Sequence, residues 1–232
     1  PINDSVLKNL DIKAKIHDSH VCVSDIERFA SLGINSLTEI DISADISGKL
    51  NNIKIDKLIV QPENSKLELS GTLRGIADGK IQYSAHIKDS KFFKKDLVYI
   101  LPKSITNSLP DFSSITLENI KASGSTTGVN ADIKILSDLG NIKGKADLQF
   151  SPKFKYSANL NIQNVNIAKI VKDASLSSNL TGTVSVKGIE TDLKKLNAQV
   201  QLELLNSQFQ QFTINKLNLN VNIANSRLNI DT

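Results

Sequence analysis

The stretch HDSHVC contains the residues best able to bind a metal, namely His17, His20 and Cys22. A zinc site needs three or four converging ligands of this kind. Side chains alternate between the two faces of a strand, so His17 and His20 would point to opposite faces, and only His20 and Cys22 would share one. Two ligands do not make a site. We therefore predict no metal site, but two surface histidines beside a half-buried thiol.

His86 is the remaining candidate for acid–base chemistry. A general base needs a nucleophile within reach and a partner that orients the imidazole, and no local motif supplies either. The chain has no G-x-S-x-G elbow, no phosphate-binding P-loop and no G-x-G-x-x-G phrase after a strand. We therefore predict that the protein is not an enzyme, has no catalytic residue and uses no cofactor.

Charge and composition exclude further classes of protein. Twenty-eight Lys and Arg residues against twenty-four Asp and Glu residues give a net charge of +4. The basic residues are scattered singly, unlike the stripe that nucleic-acid binding requires, so no nucleic-acid partner is expected. No apolar run approaches the roughly 18 residues of a membrane-spanning helix. The first residue is Pro1 and the chain has no Met, so we expect an excerpt of a longer protein.

Apolar residues recur at every second position through most of the chain. In INKLNLNVNIANSRLNI, residues 214–230, leucines, valines and isoleucines alternate with asparagines, and GKIQYSAHI and SPKFKYSANLNI show the same period. This alternation is typical of strands with one dry face and one wet face. The pattern predicts about a dozen strands. Turn sequences such as Asp78-Gly79 and Gly140-Asn141 lie between them and indicate an antiparallel meander.

The strand patterns repeat. KIQYSAHI begins at residue 80 and returns as KFKYSANL at residue 153, and NLDIKAKI at residue 9 fits the same frame more loosely. After each copy the alternation gives way to helical spacing, at about 22–33, 91–108 and 166–176. We therefore predict one elongated segment, 1–232, built of approximate repeats 9–79, 80–152 and 153–232, with short helices covering an apolar rim of the sheet.

Several phrases resemble the TamB and AsmA-like proteins of Gram-negative envelopes. They are the SGTLRG phrase at 70–75, the G-x-V-x-V-x-G phrase from Gly182 to Gly188, the strand from Val200 to Leu204, the Ser207-Gln208-Phe209 turn and the final strand from Leu217 to Ile223. The resemblance covers essentially the whole chain, best from about residue 140. It implies an all-β fold, namely a repeat-built, highly curved antiparallel sheet that forms an open groove of the β-taco kind, with short helical interruptions.

The same resemblance implies a function. The segment would be the periplasmic part of a bridge that conducts phospholipids along a hydrophobic groove toward the outer membrane. Phospholipid acyl chains would be its partners. The parent chain would be anchored in the inner membrane and would meet an outer-membrane β-barrel partner of the TamA or BamA kind through regions outside this segment.

Two alternatives stay open at this stage, and a third is disfavoured by its period. The dry face is explained equally simply by a closed structural β-sandwich or barrel in which every alternating residue is core. A second alternative is a scaffold for the assembly or secretion of outer-membrane β-barrel proteins and autotransporters, working through exposed strand edges. A right-handed β-helix needs rungs of about 20 to 25 residues, and the period here is about three times longer.

The residues predicted to line the groove are the apolar set of the alternating strands. They are Ile81, Tyr83, Ala85, Ile87, Ile142, Ala146, Leu148, Phe150, Phe154, Tyr156, Ala158, Leu160, Ile162, Val184, Val186, Val200, Leu202, Leu204, Leu217, Leu219, Val221 and Ile223.

Overall fold

The computed structural model describes residues 10–25, 39–190, 196–224 and 227–231. Within them, fifteen strands form an antiparallel sheet that stays open and does not close into a barrel. The predicted all-β class and open antiparallel sheet are confirmed. The strong curvature and the three repeats at 9–79, 80–152 and 153–232 stay predictions.

The chain divides into two compact units, Pro1–Leu109 with Ser113–Ser125, and Pro110–Phe112 with Thr126–Thr232. The first unit contains the strands β1 (Asp11–Cys22), β2 (Glu39–Lys49), β3 (Asn52–Pro62), β4 (Leu67–Arg74), β5 (Gln82–Ile87), β6 (Ser90–Phe93), β7 (Ser114–Leu117) and β8 (Ile120–Ser125). The second contains β9 (Gly128–Ser137), β10 (Asn141–Gln149), β11 (Lys155–Val165), β12 (Ser178–Ile189), β13 (Asn197–Phe209), β14 (Phe212–Ala224) and β15 (Arg227–Asp231).

Both units have the meander predicted from the turn sequences. In the first unit the strands follow the order β1-β2-β3-β4-β5-β8, and β6 pairs with β7 beside this path. In the second unit β9 to β15 pair in chain order, each strand with the next. Where the link is short, as between β2 and β3 or between β9 and β10, each strand turns back directly onto the one before it. β5 and β8 pair although β6, two short helices and β7 lie between them in the chain.

Short helices interrupt the strands close to where the helical spacing predicted them. They are α1 (Lys94–Ile100), α2 (Lys103–Thr106) and α3 (Ile167–Val171), with a 3₁₀ turn at Ala174–Leu176. Residues 23–25 are helical, and the rest of the first predicted interruption lies outside the described residues. The second interruption was placed three residues early, because Phe92 and Phe93 belong to β6 and pair with β7. None of the described helices is long and apolar enough to cross a membrane.

A buried carboxylate fixes α1 against the turn between β3 and β4. Asp96 is 2% exposed and accepts hydrogen bonds from the Asn64 N–H at 3.1 Å and the Ser65 hydroxyl at 2.7 Å. Ser65 is itself buried, and its Oγ accepts the Phe93 N–H at 2.9 Å. The backbone donors at this junction are therefore satisfied by side chains, which holds the helix at one defined place on the sheet.

We expect Asp96→Ala to lower the free energy of unfolding by about 2 to 3 kcal/mol, because two donors lose their acceptor in a buried place. Chemical denaturation followed by circular dichroism measures the change. Asp89→Ala is the matched control, since the Asp89 side chain is exposed. Equal losses in the two variants would contradict a structural role for the Asp96 carboxylate.

Candidate functional site

The candidate site is the apolar face of the second unit. The register between neighbouring strands brings its side chains together. Alternation puts apolar side chains on one face of each strand, and antiparallel pairing then sets them opposite one another. Four rows result, each crossing β9 to β14 perpendicular to the strands. The two rows that lie farthest from α3 continue onto β15.

We name the rows from the end farthest from α3. The rim row is Val129, Leu148, Tyr156, Gly188, Ala198, Ile223 and Leu228; the alanine row is Ala131, Ala146, Ala158, Val186, Val200, Val221 and Ile230; the leucine row is Ile133, Gly144, Leu160, Val184, Leu202 and Leu219; and the cap row is Ile135, Ile142, Ile162, Gly182, Leu204 and Leu217.

Side-chain size varies across these rows. On β9 to β11 the alanine row consists of three alanines, whereas Leu148 and Tyr156 stand in the rim row beside it and Leu160 stands in the leucine row. The methyl groups of this row are shorter than their neighbours on β9 and β11, which makes a shallow trench there, whereas on β10 the neighbouring residue of the leucine row is Gly144, which has no side chain. The rim and cap rows lie six residues apart along a strand, so the apolar face is about 20 Å wide.

The predicted lining residues are mostly half-buried. Of the 22, Ile162 and Leu204 are buried, Phe150 is exposed, and the other nineteen are half-buried. Side chains in a closed core would be almost completely removed from water. The apolar face is therefore only partly covered in the structure.

The rows of the second unit contain sixteen of the predicted lining residues. Three other predictions, Ile81, Phe150 and Phe154, fall just outside the strands. Tyr83, Ala85 and Ile87 lie on β5 of the first unit, where they face Gly124, Ala122 and Ile120 of β8. Tyr83 therefore lies opposite a glycine, as Tyr156 does in the second unit.

The glycine phrase from Gly182 to Gly188 has a steric basis. A Cβ at Gly188 would overlap the ring of Tyr156, which lies over this glycine in the rim row. A Cβ at Gly182 would overlap the backbone oxygen of Glu203 on β13. Glycine is required at Gly182, where the obstacle is backbone, whereas a side chain at Gly188 would have to displace the end of the Tyr156 side chain.

The Ser207-Gln208-Phe209 phrase, predicted as a turn, lies within the end of β13 and pairs with β14, because the turn itself follows at residues 210–211. Its serine has a structural role. Ser207 is 3% exposed, and its Oγ accepts the Thr181 N–H at 2.9 Å where the β12–β13 register shifts. The Ser207 hydroxyl hydrogen reaches the carbonyl oxygen of Thr181 or of Leu205, each at 3.1 Å. A small hydroxyl residue replaces the strand hydrogen bonds that the irregularity removes.

Helix α3 closes the cap end of the apolar face. Ile167 and Ile170 pack against a buried cluster of Ile162, Val165, Leu180 and Leu204. The Ser178 hydroxyl accepts the Ile167 N–H at 2.8 Å and so fixes the start of α3. The apolar face is therefore covered at its cap end.

The 3₁₀ turn after α3 begins with its own side-chain cap. Asp173 accepts hydrogen bonds from the Ser175 hydroxyl at 2.7 Å and the Ser175 N–H at 2.9 Å. These bonds favour the ionised carboxylate and lower the pKa of Asp173 below its ordinary value. The cap is consequently charged near neutral pH.

An aromatic cluster lies at the rim-row end of the apolar face, opposite the end that α3 covers. The rings of Phe150 and Phe154 stack with centroids 6.4 Å apart, and the ring of Phe154 is tilted against Tyr156 at 5.8 Å. Phe150 is 47% exposed. The β10–β11 turn therefore presents an apolar aromatic surface to solvent at the rim.

The other face of the second unit is polar and carries three shallow depressions. Their volumes are about 430, 440 and 240 Å³. The linings consist mainly of amides and hydroxyls, with two lysines and a few carboxylates, and include Ser185, Gln201 and Asn220. The alternation assigns this face to water and carries no sign of the depressions, because a depression depends on how neighbouring strands twist.

The histidines and the cysteine have separate partners. His20 Nδ1 pairs with Asp41 across β1 and β2, the Cys22 Sγ lies 3.1 Å from the Ser24 Oγ, and His86 Nε2 contacts Asn119 Oδ1. In the described part of the chain no three His, Cys, Asp or Glu side chains are grouped closely enough to hold a metal ion. These contacts stabilise local structure, and none of them places a nucleophile beside a histidine base.

Comparison with known proteins does not assign the chain to a family. No family model, curated protein or solved structure matches the chain. The function has to be argued from the two faces of the sheet.

Proposed function

We propose that this chain is a periplasmic segment of a TamB/AsmA-like bridge and that its apolar face carries phospholipids toward the outer membrane. The observation that carries the proposal is the set of four apolar rows, which contain no charged side chain and in which most side chains are only partly buried. A surface of this kind is costly in water unless something apolar covers it. A fatty-acyl chain is a suitable cover because it needs no hydrogen bonds.

The dimensions suit an acyl chain that lies parallel to the strands. The apolar face is about 20 Å wide, and one leaflet of a bilayer has a hydrocarbon depth of about 15 Å, half of the 30 Å core. The methyl end of the chain would lie toward α3, where the face is covered, and the head group would lie at the rim in water. Each buried methylene contributes about 0.8 kcal/mol.

Movement would occur sideways, from one strand to the next. Neighbouring strands are about 4.8 Å apart and present similar linings, so a lipid exchanges one set of apolar contacts for another. The alanine row aids this step on β9 to β11, where Ala131, Ala146 and Ala158 place no large side chain in the path. Conduction of this kind is passive, and its direction must come from the rest of the assembly.

The scaffold function is a second candidate because of one observation at β15. Among the described residues β15 pairs only with β14, and Leu228 and Ile230 are 58% and 55% exposed. An edge strand with exposed apolar side chains is able to accept another β-segment by strand addition. The protein cargo would then be a nascent outer-membrane β-barrel or autotransporter.

Native mass spectrometry of the chain after incubation with phospholipid vesicles tests the proposal. We expect bound phospholipid, and we expect glycerophosphocholine, which has a head group but no acyl chains, to leave the chain unbound. The contrast isolates the acyl chains as the recognised part. Absence of bound lipid, together with binding of a peptide from an outer-membrane β-strand, would favour the scaffold function instead.

A further inference from the structure

Strand pairing in the first unit gathers lysines that are scattered in the sequence. Lys66 and Lys91 lie directly opposite each other and are joined by two backbone hydrogen bonds, of 2.7 and 2.9 Å. Directly opposite residues present their side chains on the same face of a sheet. The Lys88 N–H donates to the Glu68 carbonyl oxygen at 2.9 Å, which places Lys88 beside the next outward-facing residue of β4. Three lysines from separate parts of the chain therefore meet at one end of β4.

Glu68 is the carboxylate among these lysines. Its Oε2 accepts a hydrogen bond from the Lys66 ammonium at 2.9 Å. This bond lowers the pKa of Glu68 below its ordinary value, and the charges of Lys66, Lys57 and Lys88 act in the same direction. Lys57, on the neighbouring strand β3, consequently belongs to the same group of charges.

The ring of Phe93 holds two ammonium groups at its side. The Lys91 Nζ lies 4.8 Å from the ring centroid and the Lys95 Nζ lies 6.0 Å from it. Both distances are within the range of a cation–π interaction. Lys91 and Lys95 are exposed, whereas Phe93 is half-buried. A fixed ring therefore keeps two positive charges close together at the surface of the unit.

We call this group of side chains the cationic patch, and it consists of Lys57, Lys66, Glu68, Lys88, Lys91, Phe93 and Lys95. Asp45 and Asp56 adjoin Lys57, but each is paired with another lysine. Glu63 and Asp89 are exposed in the bends next to the patch. Lysines outnumber carboxylates even when these two are counted, so the surface has an excess of positive charge.

The residue types of the cationic patch suit a membrane surface. The patch contains lysine and no arginine, and lysine is a point charge on a flexible stem without the planar fork that reads phosphates of nucleic acid in fixed geometry. The face of Phe93 adjoins two ammonium groups, whereas base stacking needs an open aromatic face. Lysines around an amphipathic or aromatic anchor are typical of the boundary between head groups and water.

We propose that the cationic patch docks the first unit onto a membrane that contains anionic phospholipids. The ammonium groups meet the phosphates of the head groups, and Phe93 holds two of those groups in place. This docking surface goes beyond the proposed function, because it uses none of the residues of the apolar face. It recognises the charge of an assembled bilayer, whereas the apolar face recognises the acyl chain of a single lipid.

Co-sedimentation with vesicles tests the docking surface. One set of vesicles is phosphatidylcholine alone, and the other contains about 30% phosphatidylglycerol as the anionic lipid. We expect the chain to bind the anionic vesicles at least about tenfold more tightly than the neutral ones. Raising the ionic strength from about 0.1 M to about 1 M shortens the screening length from about 10 Å to about 3 Å and should release most of the bound chain.

Two variants should change the affinity for anionic vesicles in opposite directions. Each lysine near an anionic surface strengthens binding by about fivefold, so Lys88→Gln/Lys91→Gln should bind about twentyfold more weakly. Glu68→Gln removes the carboxylate at the centre of the patch and should strengthen binding by about threefold.

The control variant Lys143→Gln/Lys216→Gln removes the same net charge from the second unit. Its affinity for anionic vesicles should stay within about twofold of the unmodified chain. The four substituted lysines are exposed, so these variants should fold, and circular dichroism checks that they and Glu68→Gln do.

The outcomes separate the docking surface from other partners and from the proposed function. Equal affinity for the two sets of vesicles, or equal weakening in the control, would overturn the docking surface. Tighter binding to a DNA duplex than to anionic vesicles would identify a nucleic acid as the partner and would also overturn it. A chain that binds no phospholipid in native mass spectrometry but still sediments with anionic vesicles would lose the proposed function and keep the docking surface.

Discussion

Val221→Asp is expected to leave the chain folded and to abolish phospholipid transfer. Val221 lies in the alanine row on β14, between Val200 and Ile230, and is half-buried. An aspartate there can reach water across the open face, so the cost of burying an unpaired carboxylate is avoided. A lipid that passes the same point must desolvate that carboxylate against its acyl chain, which raises the barrier to movement.

The size of the two effects makes the result decisive. In a closed core an unpaired carboxylate costs several kcal/mol, which is a large part of the whole stability of a domain. On an open face we expect a loss of less than about 1 kcal/mol, with a decrease in transfer of at least about tenfold. Circular dichroism gives the folded content and the melting temperature, and transfer of a fluorescent phospholipid between vesicles gives the rate.

Asn220→Asp supplies the control for added charge, since Asn220 neighbours Val221 in sequence and lies on the polar face. It should change neither stability nor transfer. Unfolding of Val221→Asp would mean that this face is a closed core, and normal transfer by a folded Val221→Asp would mean that lipid does not pass β14.

The alternation in the sequence was sufficient to predict the strands, because a period of two fixes which side chains share a face. The side chains of Val184 and Val186, for example, were assigned to the dry face, and both lie in apolar rows. The rows themselves depend on register between strands, which alternation alone leaves open by any multiple of two residues. The alanine trench therefore could not be predicted, although each of its alanines was on the dry face.

The other differences between the predictions from sequence and the structure have local physical causes. β6 was interpreted as part of a helical interruption because Phe92 and Phe93 are adjacent to the apolar positions of α1, and a four-residue strand is too short to show a period. Asp96 gave no signal as a buried residue, because its partners come from a turn about thirty residues earlier.

Gly144 offers the most direct test of the backbone arrangement beneath the apolar face. It lies on β10 in the leucine row, opposite Leu160 on β11. Glycine in a strand is normally less stable than alanine by about 0.5 to 1 kcal/mol, because it loses more conformational freedom on folding. From propensity alone, Gly144→Ala would stabilise the protein.

The structure predicts the opposite sign. A Cβ at Gly144 would overlap the backbone oxygen of Asn159, and a backbone atom in a paired strand cannot move aside as a side chain does. We expect Gly144→Ala to lower the free energy of unfolding by about 3 kcal/mol and the melting temperature by roughly 6 to 12 °C. Thermal and chemical denaturation measure both changes.

Gly79→Ala is the matched control for the backbone contribution. Gly79 has a φ of +63° in the turn before β5, and nothing lies within 4 Å of the position of its missing Cβ. Alanine there incurs only the cost of a left-handed conformation, about 1 to 2 kcal/mol. The excess loss in Gly144→Ala measures how closely β11 approaches β10. An unchanged or higher melting temperature in Gly144→Ala would show that the two strands lie farther apart, and the rows that depend on their register would have to be redrawn.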